Sequence, residues 1–267
     1  MKKQFIGFGA GVLMALATVV PSQAAMVDVT SLGVAAFDTW LDGTFSSATR
    51  NGGATGIVAS PSPDGDGAAS LTSPDGSGKA TIQYFGSTPL GALSDLTGIG
   101  YSWYRDGTST NPAAQAPGLK IFVNDGAGRS GTLIYEPVYN GVPVAPTDAW
   151  QTVDATAGNW WLFEGGVFEV YNLTLASWAT DAVFAGPGGS SKQGFGANAQ
   201  VTGIEVGIGS GWNGVSTYFT DLVNISFNGN PEYTWNFKTG GQTVNEPAVL
   251  GLVGLGLAGL ALARRRG

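Results

Sequence analysis

The chain is expected to fold as an all-β antiparallel β-sandwich, and three features of the sequence carry that expectation. Glycine supplies 43 of the 267 residues, and clusters of Gly, Asn, Asp, Ser and Pro recur at the spacing of strand-turn-strand connections. The segments between those clusters are rich in β-branched and aromatic residues, which suit a pleated, half-buried surface. Several of them alternate with period two, as Ile204, Val206 and Ile208 do, so that one face meets a core and the other meets solvent.

From the N-terminus, Lys2 and Lys3 precede an apolar stretch at 5–20, and Ser22 and Ala24 supply small residues at the −3 and −1 positions of a cleavage site. Residues 1–24 are therefore expected to be a signal peptide cut after Ala24, leaving a sandwich domain at 25–238. Residues 54–78 are expected to be its most mobile part, because Pro61, Pro63, Pro74 and several glycines leave few apolar anchors to offset the entropy of ordering. Strands are expected at 79–85, 98–105, 119–123, 132–139, 150–156, 201–208, 218–227 and 233–238, each bounded by turn residues. One segment departs from that pattern: Leu175, Trp178 and Ala182 fall on one helical face behind Asn172, which is expected to cap a short connecting helix. Residues 228–230 read as a turn and 239–244 as a linker.

Composition narrows the chemistry. Between residues 25 and 245 there are seven basic and eighteen acidic side chains, a net of −11, so the body lacks the basic footprint that phosphate binding requires and nucleic acid is set aside. There is no cysteine, which removes disulfides and thiolate metal sites, and no histidine, which removes the usual base of hydrolytic triads. Glycoside hydrolysis needs only two carboxylates, and Glu164 and Glu169 flank a Gly-Gly-Val-Phe turn, but the dense acidic signature of a catalytic strand is missing. The chain is not expected to be an enzyme.

The C-terminal residues have a distinct organisation. Asn245, Glu246 and Pro247 precede 16 unbroken apolar residues at 248–263, and Arg264, Arg265 and Arg266 follow. As a helix the run spans about 24 Å at roughly 1.5 Å per residue, a minimal anchor for a ~30 Å hydrocarbon core, and the arginines would stay on the cytoplasmic side. The segment 245–267 resembles the PEP-CTERM sorting signal of exported bacterial proteins, whose core is Pro-Glu-Pro, an apolar helix and an arginine cluster. Asn245 stands where that family has its first proline. The resemblance implies recognition by an exosortase near Glu246 and Pro247, removal of the tail, and delivery from the inner membrane to the cell surface or matrix. Tails of this kind are also classed with ice-binding proteins, but no regular threonine array supports that use here. The body, through Gly65-Asp66-Gly67-Ala68-Ala69, Trp150-Gln151-Thr152-Val153, the glycine loop around Trp212 and Asp221-Leu222-Val223-Asn224-Ile225, resembles the jelly-roll domains joined to such tails.

Two sets of residues could carry binding. Asp64 and Asp66 lie in a glycine turn suited to calcium, and Asp221 sits within an otherwise aromatic and aliphatic strand, where a carboxylate must find partners or face outward. No other cofactor is expected. Eight tryptophans suggest stacking on sugar rings; most are expected in the core, with Trp212, in a glycine loop, and Trp161, turned away from its neighbour Trp160, as the candidates for glycan binding. The function expected from these features is that of an exported, non-enzymatic surface or matrix protein associated with exopolysaccharide. A carbohydrate-binding module with a specific glycan is the alternative, and a glycoside hydrolase a lesser one.

Overall fold

The computed structural model describes residues 25–34, 37–43, 48–165, 167–168, 170–209, 213–228 and 233–240. The signal peptide with Ala24, Trp212, and the whole sorting signal, including Asn245, Glu246, Pro247, Arg264, Arg265 and Arg266, lie outside them. None of the described helices is long and apolar enough to cross a membrane.

The described chain is built almost entirely of strands. The first seven are β1 (Ala25–Val29), β2 (Trp40–Leu41), β3 (Ala54–Val58), β4 (Ala68–Ser73), β5 (Ala80–Phe85), β6 (Gly91–Ala92) and β7 (Leu96–Arg105). The middle of the chain supplies β8 (Gly118–Asn124), β9 (Ser130–Tyr135), β10 (Trp150–Asp154), β11 (Trp160–Glu164), β12 (Val167–Phe168), β13 (Val183–Ala185) and β14 (Ser191–Gln193). The last three are β15 (Gln200–Ile208), β16 (Ser216–Phe227) and β17 (Tyr233–Phe237). All eight expected strands occur, with ends shifted by a few residues.

Two sheets enclose the core. The first runs β1-β17-β16-β4-β3, with β7 on the other edge of β16 and β10 beyond it; the second runs β12-β11-β9-β8-β15-β5-β2, with β6 also on β15. Pairing is antiparallel throughout except between β1 and β17. Period-two alternation directs Ile99, Tyr101 and Trp103 of β7 inward, where they meet Ile82 of β5, Leu119 and Ile121 of β8 and Ile204 and Val206 of β15 in one continuous cluster. Six tryptophans, Trp40, Trp103, Trp160, Trp161, Trp178 and Trp235, are buried.

Two expectations need correction. Residues 54–78 contain β3 and β4, and β4 is an interior strand between β3 and β16 with Ala68, Ala69, Leu71 and Ser73 buried. Alanine and serine give little strand signal in sequence, but small side chains are what a strand packed on both faces can accommodate. The helix α1 (Leu175–Trp178) is capped by Thr174, whose hydroxyl accepts from the Ser177 amide at 3.2 Å; Asn172 instead takes a left-handed conformation (φ 61°).

The long strand β16 organises the first sheet. One of its edges pairs with β7, while the other pairs with β4 through Thr220 and then with β17 from Val223 onward. Between these partners the strand bulges, and Leu222 adopts φ 49°. The extra residue shifts the inward-facing set from Tyr218 to Val223, Ile225 and Phe227, so that apolar side chains stay in the core on both sides of the bulge. Asp221 occupies the break.

Candidate functional site

A break in a ladder leaves backbone N–H groups without acceptors, and burying them unpaired is costly. Asp221, fully buried, answers that need with one oxygen: Oδ1 accepts from the Leu222 and Phe237 amides, both at 2.8 Å. Its second oxygen, Oδ2, has no partner.

The turn leading into β4 brings two further carboxylates. Ser62 shapes it, because its hydroxyl oxygen accepts from the amides of Gly65, Asp66 and Gly67 at 2.9, 3.0 and 3.1 Å while donating to Asp64 Oδ1 at 2.9 Å. Gly67 allows the turn to lie against the end of β17, since a Cβ there would stand 2.8 Å from Lys238 Cα. One carboxylate oxygen from each of Asp64, Asp66 and Asp221 falls within 4.8 Å of the others. Asn236 of β17 completes the cluster, donating through Nδ2 to Asp66 Oδ2 at 2.9 Å. Asp66 Oδ1 and Asn236 Oδ1 are buried without partners, as is Asp221 Oδ2.

Three orphaned oxygens around three crowded carboxylates form an electrostatic deficit. Burial, reinforced by the charges of Asp64 and Asp66, pushes the Asp221 carboxyl up to about 7, and burial together with the neighbouring Asp64 also raises Asp66. A bound cation would reverse that penalty. The donors are all hard oxygens, a set that suits calcium or magnesium and not a thiophilic metal. The structure thus brings together all three acidic residues singled out in the sequence and adds Asn236, which nothing in the local sequence distinguishes.

A second feature lies on the outer face of the second sheet. Residues opposite one another in a ladder share a face, so Trp161, Ile134, Lys120, Glu205 and Gln83 form one row and Phe163, Thr132, Phe122, Gly203 and Phe85 form the next. The first row is closed. Glu205, 3% exposed, is paired with Lys120 and with Lys79 at 3.6 Å, and accepts from Gln83 Nε2 at 2.5 Å. Burial opposes its ionisation, but the two lysines hold its carboxyl below the ordinary range.

The second row is open and forms one wall of a groove of about 390 Å³ lined by Phe85, Phe122, Phe163, Thr132, Thr202 and Glu164 among others. The Phe85 and Phe122 rings are 4.9 Å apart and tilted by 38°. Gly203 lies between their strands, and a Cβ there would meet the Phe85 ring and the Tyr84 carbonyl oxygen at 2.6 Å. The glycine lets the ring lie down on the sheet.

Trp161 is turned away from the core, as alternation requires, while Trp160 enters it. The indole is nevertheless only 6% exposed: its N–H donates to Glu136 Oε2 at 2.9 Å, and Tyr171 lies over it at 5.7 Å. Covered in this way, Trp161 does not offer an open stacking face; the accessible rings belong to Phe85, Phe122 and Phe163. Strand alternation could have pointed to these phenylalanines, but only the pairing of β5, β8, β11 and β15 puts them side by side. Glu164, at the edge of the groove, is tied to Arg129 (Nε to Oε1, 2.6 Å) and Lys192 (Nζ to Oε2, 2.9 Å). Although burial opposes it, these cations keep its carboxyl low, which disqualifies it as a proton donor to a leaving group. Glu169 lies outside the described residues.

No family model matches the chain, and no curated protein matches it. Among solved structures, one of TmCBM61 in complex with beta-1,4-galactotriose is similar at 11% identity and a TM-score of 0.27, covering 69% of this chain and 88% of that one. So low a score carries no argument about function.

Proposed function

We propose that the chain is a non-enzymatic protein exported to the cell surface or extracellular matrix, where a calcium-stabilised jelly-roll sandwich associates with exopolysaccharide. The observation that supports this reading most is the groove: partly exposed phenyl rings beside the polar side chains of Asn124, Ser130, Thr132 and Thr202. Flat rings stack on the C–H faces of sugars, and short polar side chains bind their hydroxyls. The lining contains no Lys or Arg and the body is strongly acidic, so a neutral or weakly charged glycan fits better than a polyanion.

Export enters as an inference from the two ends. The apolar stretch at 5–20 behind Lys2 and Lys3, with small residues at Ser22 and Ala24, is proposed as a signal peptide cut after Ala24. The tail, with Glu246 and Pro247 ahead of the apolar run and Arg264 to Arg266 behind it, is proposed as the exosortase signal, tethering the precursor until it is cut. Calcium is proposed at Asp64, Asp66 and Asp221 because extracellular fluids supply the hard cation that the orphaned oxygens need.

Retention on neutral exopolysaccharide tests the binding assignment. Phe122→Ala removes one wall of the groove from a partly exposed position and is expected to weaken retention about tenfold, equivalent to about 1.4 kcal/mol. Equal retention of the two proteins would instead favour a purely structural matrix role with no glycan in the groove.

A further inference from the structure

The acidic centre also holds the C-terminal end of β17. Beyond Trp235, β17 has no backbone partner on β16, and Phe237 is held instead by Asp221 Oδ1. Asn236 is held by the carboxylate of Asp66, and Thr239 donates to the Asp66 carbonyl oxygen through both its amide (3.1 Å) and its hydroxyl (3.3 Å). On its other side this end of β17 pairs with the edge strand β1, Asn236 opposite Asp28 and Phe237 opposite Val29, followed by Lys238 N to Val29 O at 3.0 Å and the ion pair between Lys238 and Asp28, while the Phe237 ring packs against Trp40 in the core. Two of the three carboxylates thus contact the end of β17 directly, that of Asp66 at the Asn236 side chain and that of Asp221 at the Phe237 amide. Asp221, 0% exposed and one of the three clustered carboxylates, and Asn236, 3% exposed and hydrogen-bonded to Asp66, each carry a buried oxygen with no partner.

We propose that the metal centre is a clamp on the C-terminal end of β17: a hard divalent cation bound by Asp64, Asp66, Asp221 and Asn236 fixes that end of the strand and Thr239 to the turn before β4, and loss of the cation releases them. This inference rests on the metal reading given above. Without the cation, the carboxylates of Asp64 and Asp66 on the turn face that of Asp221 on β16, and their mutual repulsion loosens the two side chains, Asp66 and Asp221, that hold Asn236 and Phe237 of β17. With it, their charge is offset and the same contact is held by metal–oxygen bonds. A ligand that binds only the closed arrangement suppresses local opening of the segment it ties down.

Amide hydrogen exchange on the full chain, in calcium chloride and after chelation, tests the clamp, with titration calorimetry alongside. The expected result is calcium binding together with exchange about tenfold slower at 62–68 and 233–239, and little change in β8 and β15. Asp221→Asn should abolish both effects; if that variant does not fold, Asp64→Asn, in the exposed turn, replaces it. Calcium binding with unchanged or uniformly slowed exchange would overturn the clamp and leave the metal site standing. Absence of binding would overturn both.

Discussion

At the scale of single residues, Asp221 shows how one position can serve the fold and the site together. Its Oδ1 repairs a break in the β16 ladder and its Oδ2 has no partner, so the residue is needed by the backbone yet electrostatically costly. The carboxyl is raised to about 7 from an ordinary value near 3.8. A group whose folded pKa lies above its unfolded value contributes stability that is fully present below the unfolded pKa and is lost as pH rises through the folded one. The metal-free protein is therefore expected to melt at lower temperature at pH 8 than at pH 5, and saturating calcium should remove most of that difference. A metal-free melting temperature that stays level or rises across this range would contradict the assignment. Asp64, Asp66 and Asp221 were legible in the sequence because carboxylates in glycine turns and apolar strands stand out. Asn236 was not, because its role depends on a neighbour, Asp66, that is 170 positions away in the chain.

At the scale of elements, what the sequence reveals depends on how a strand earns its place. Strands such as β8, β15 and β16 announce themselves by β-branched and aromatic alternation. The strand β4 does not: its Ala-Ala-Ser-Leu-Thr-Ser sequence reads as loop, and only ladders to β3 and β16 make it a strand. The helix cap moved from Asn172 to Thr174 for a similar reason, since the local choice between two good capping residues is settled by where the chain must turn back to pair Leu173 with Trp160. The groove belongs to this scale as well. Gly203→Ala places a Cβ 2.6 Å from both the Phe85 ring and a backbone carbonyl oxygen, and the ring alone cannot give way enough. This substitution is expected to destabilise the protein by on the order of 1–3 kcal/mol, measured by urea denaturation, and to weaken polysaccharide retention. Unchanged stability and retention would mean that the floor of the groove is not set by this glycine.

At the scale of the whole molecule, the acidic body, the absence of cysteine and histidine, and the two terminal segments bear on where the protein works more than on how it folds. The proposed export route predicts that the native exported protein has an intact mass corresponding to a chain that begins at Ala25 and ends close to Glu246. Full-length mass in the membrane fraction would rule out processing of both ends. Sequence alone determined the β class, most strand positions, the net charge and the chemistry excluded by missing residue types, because these follow from composition and from periodicities only a few residues long. The tertiary structure decided which carboxylates converge, which tryptophans are covered, and which phenylalanines line the groove. Those outcomes depend on ladder register and on one bulge in β16, and a register is fixed by the packing of two whole sheets against each other.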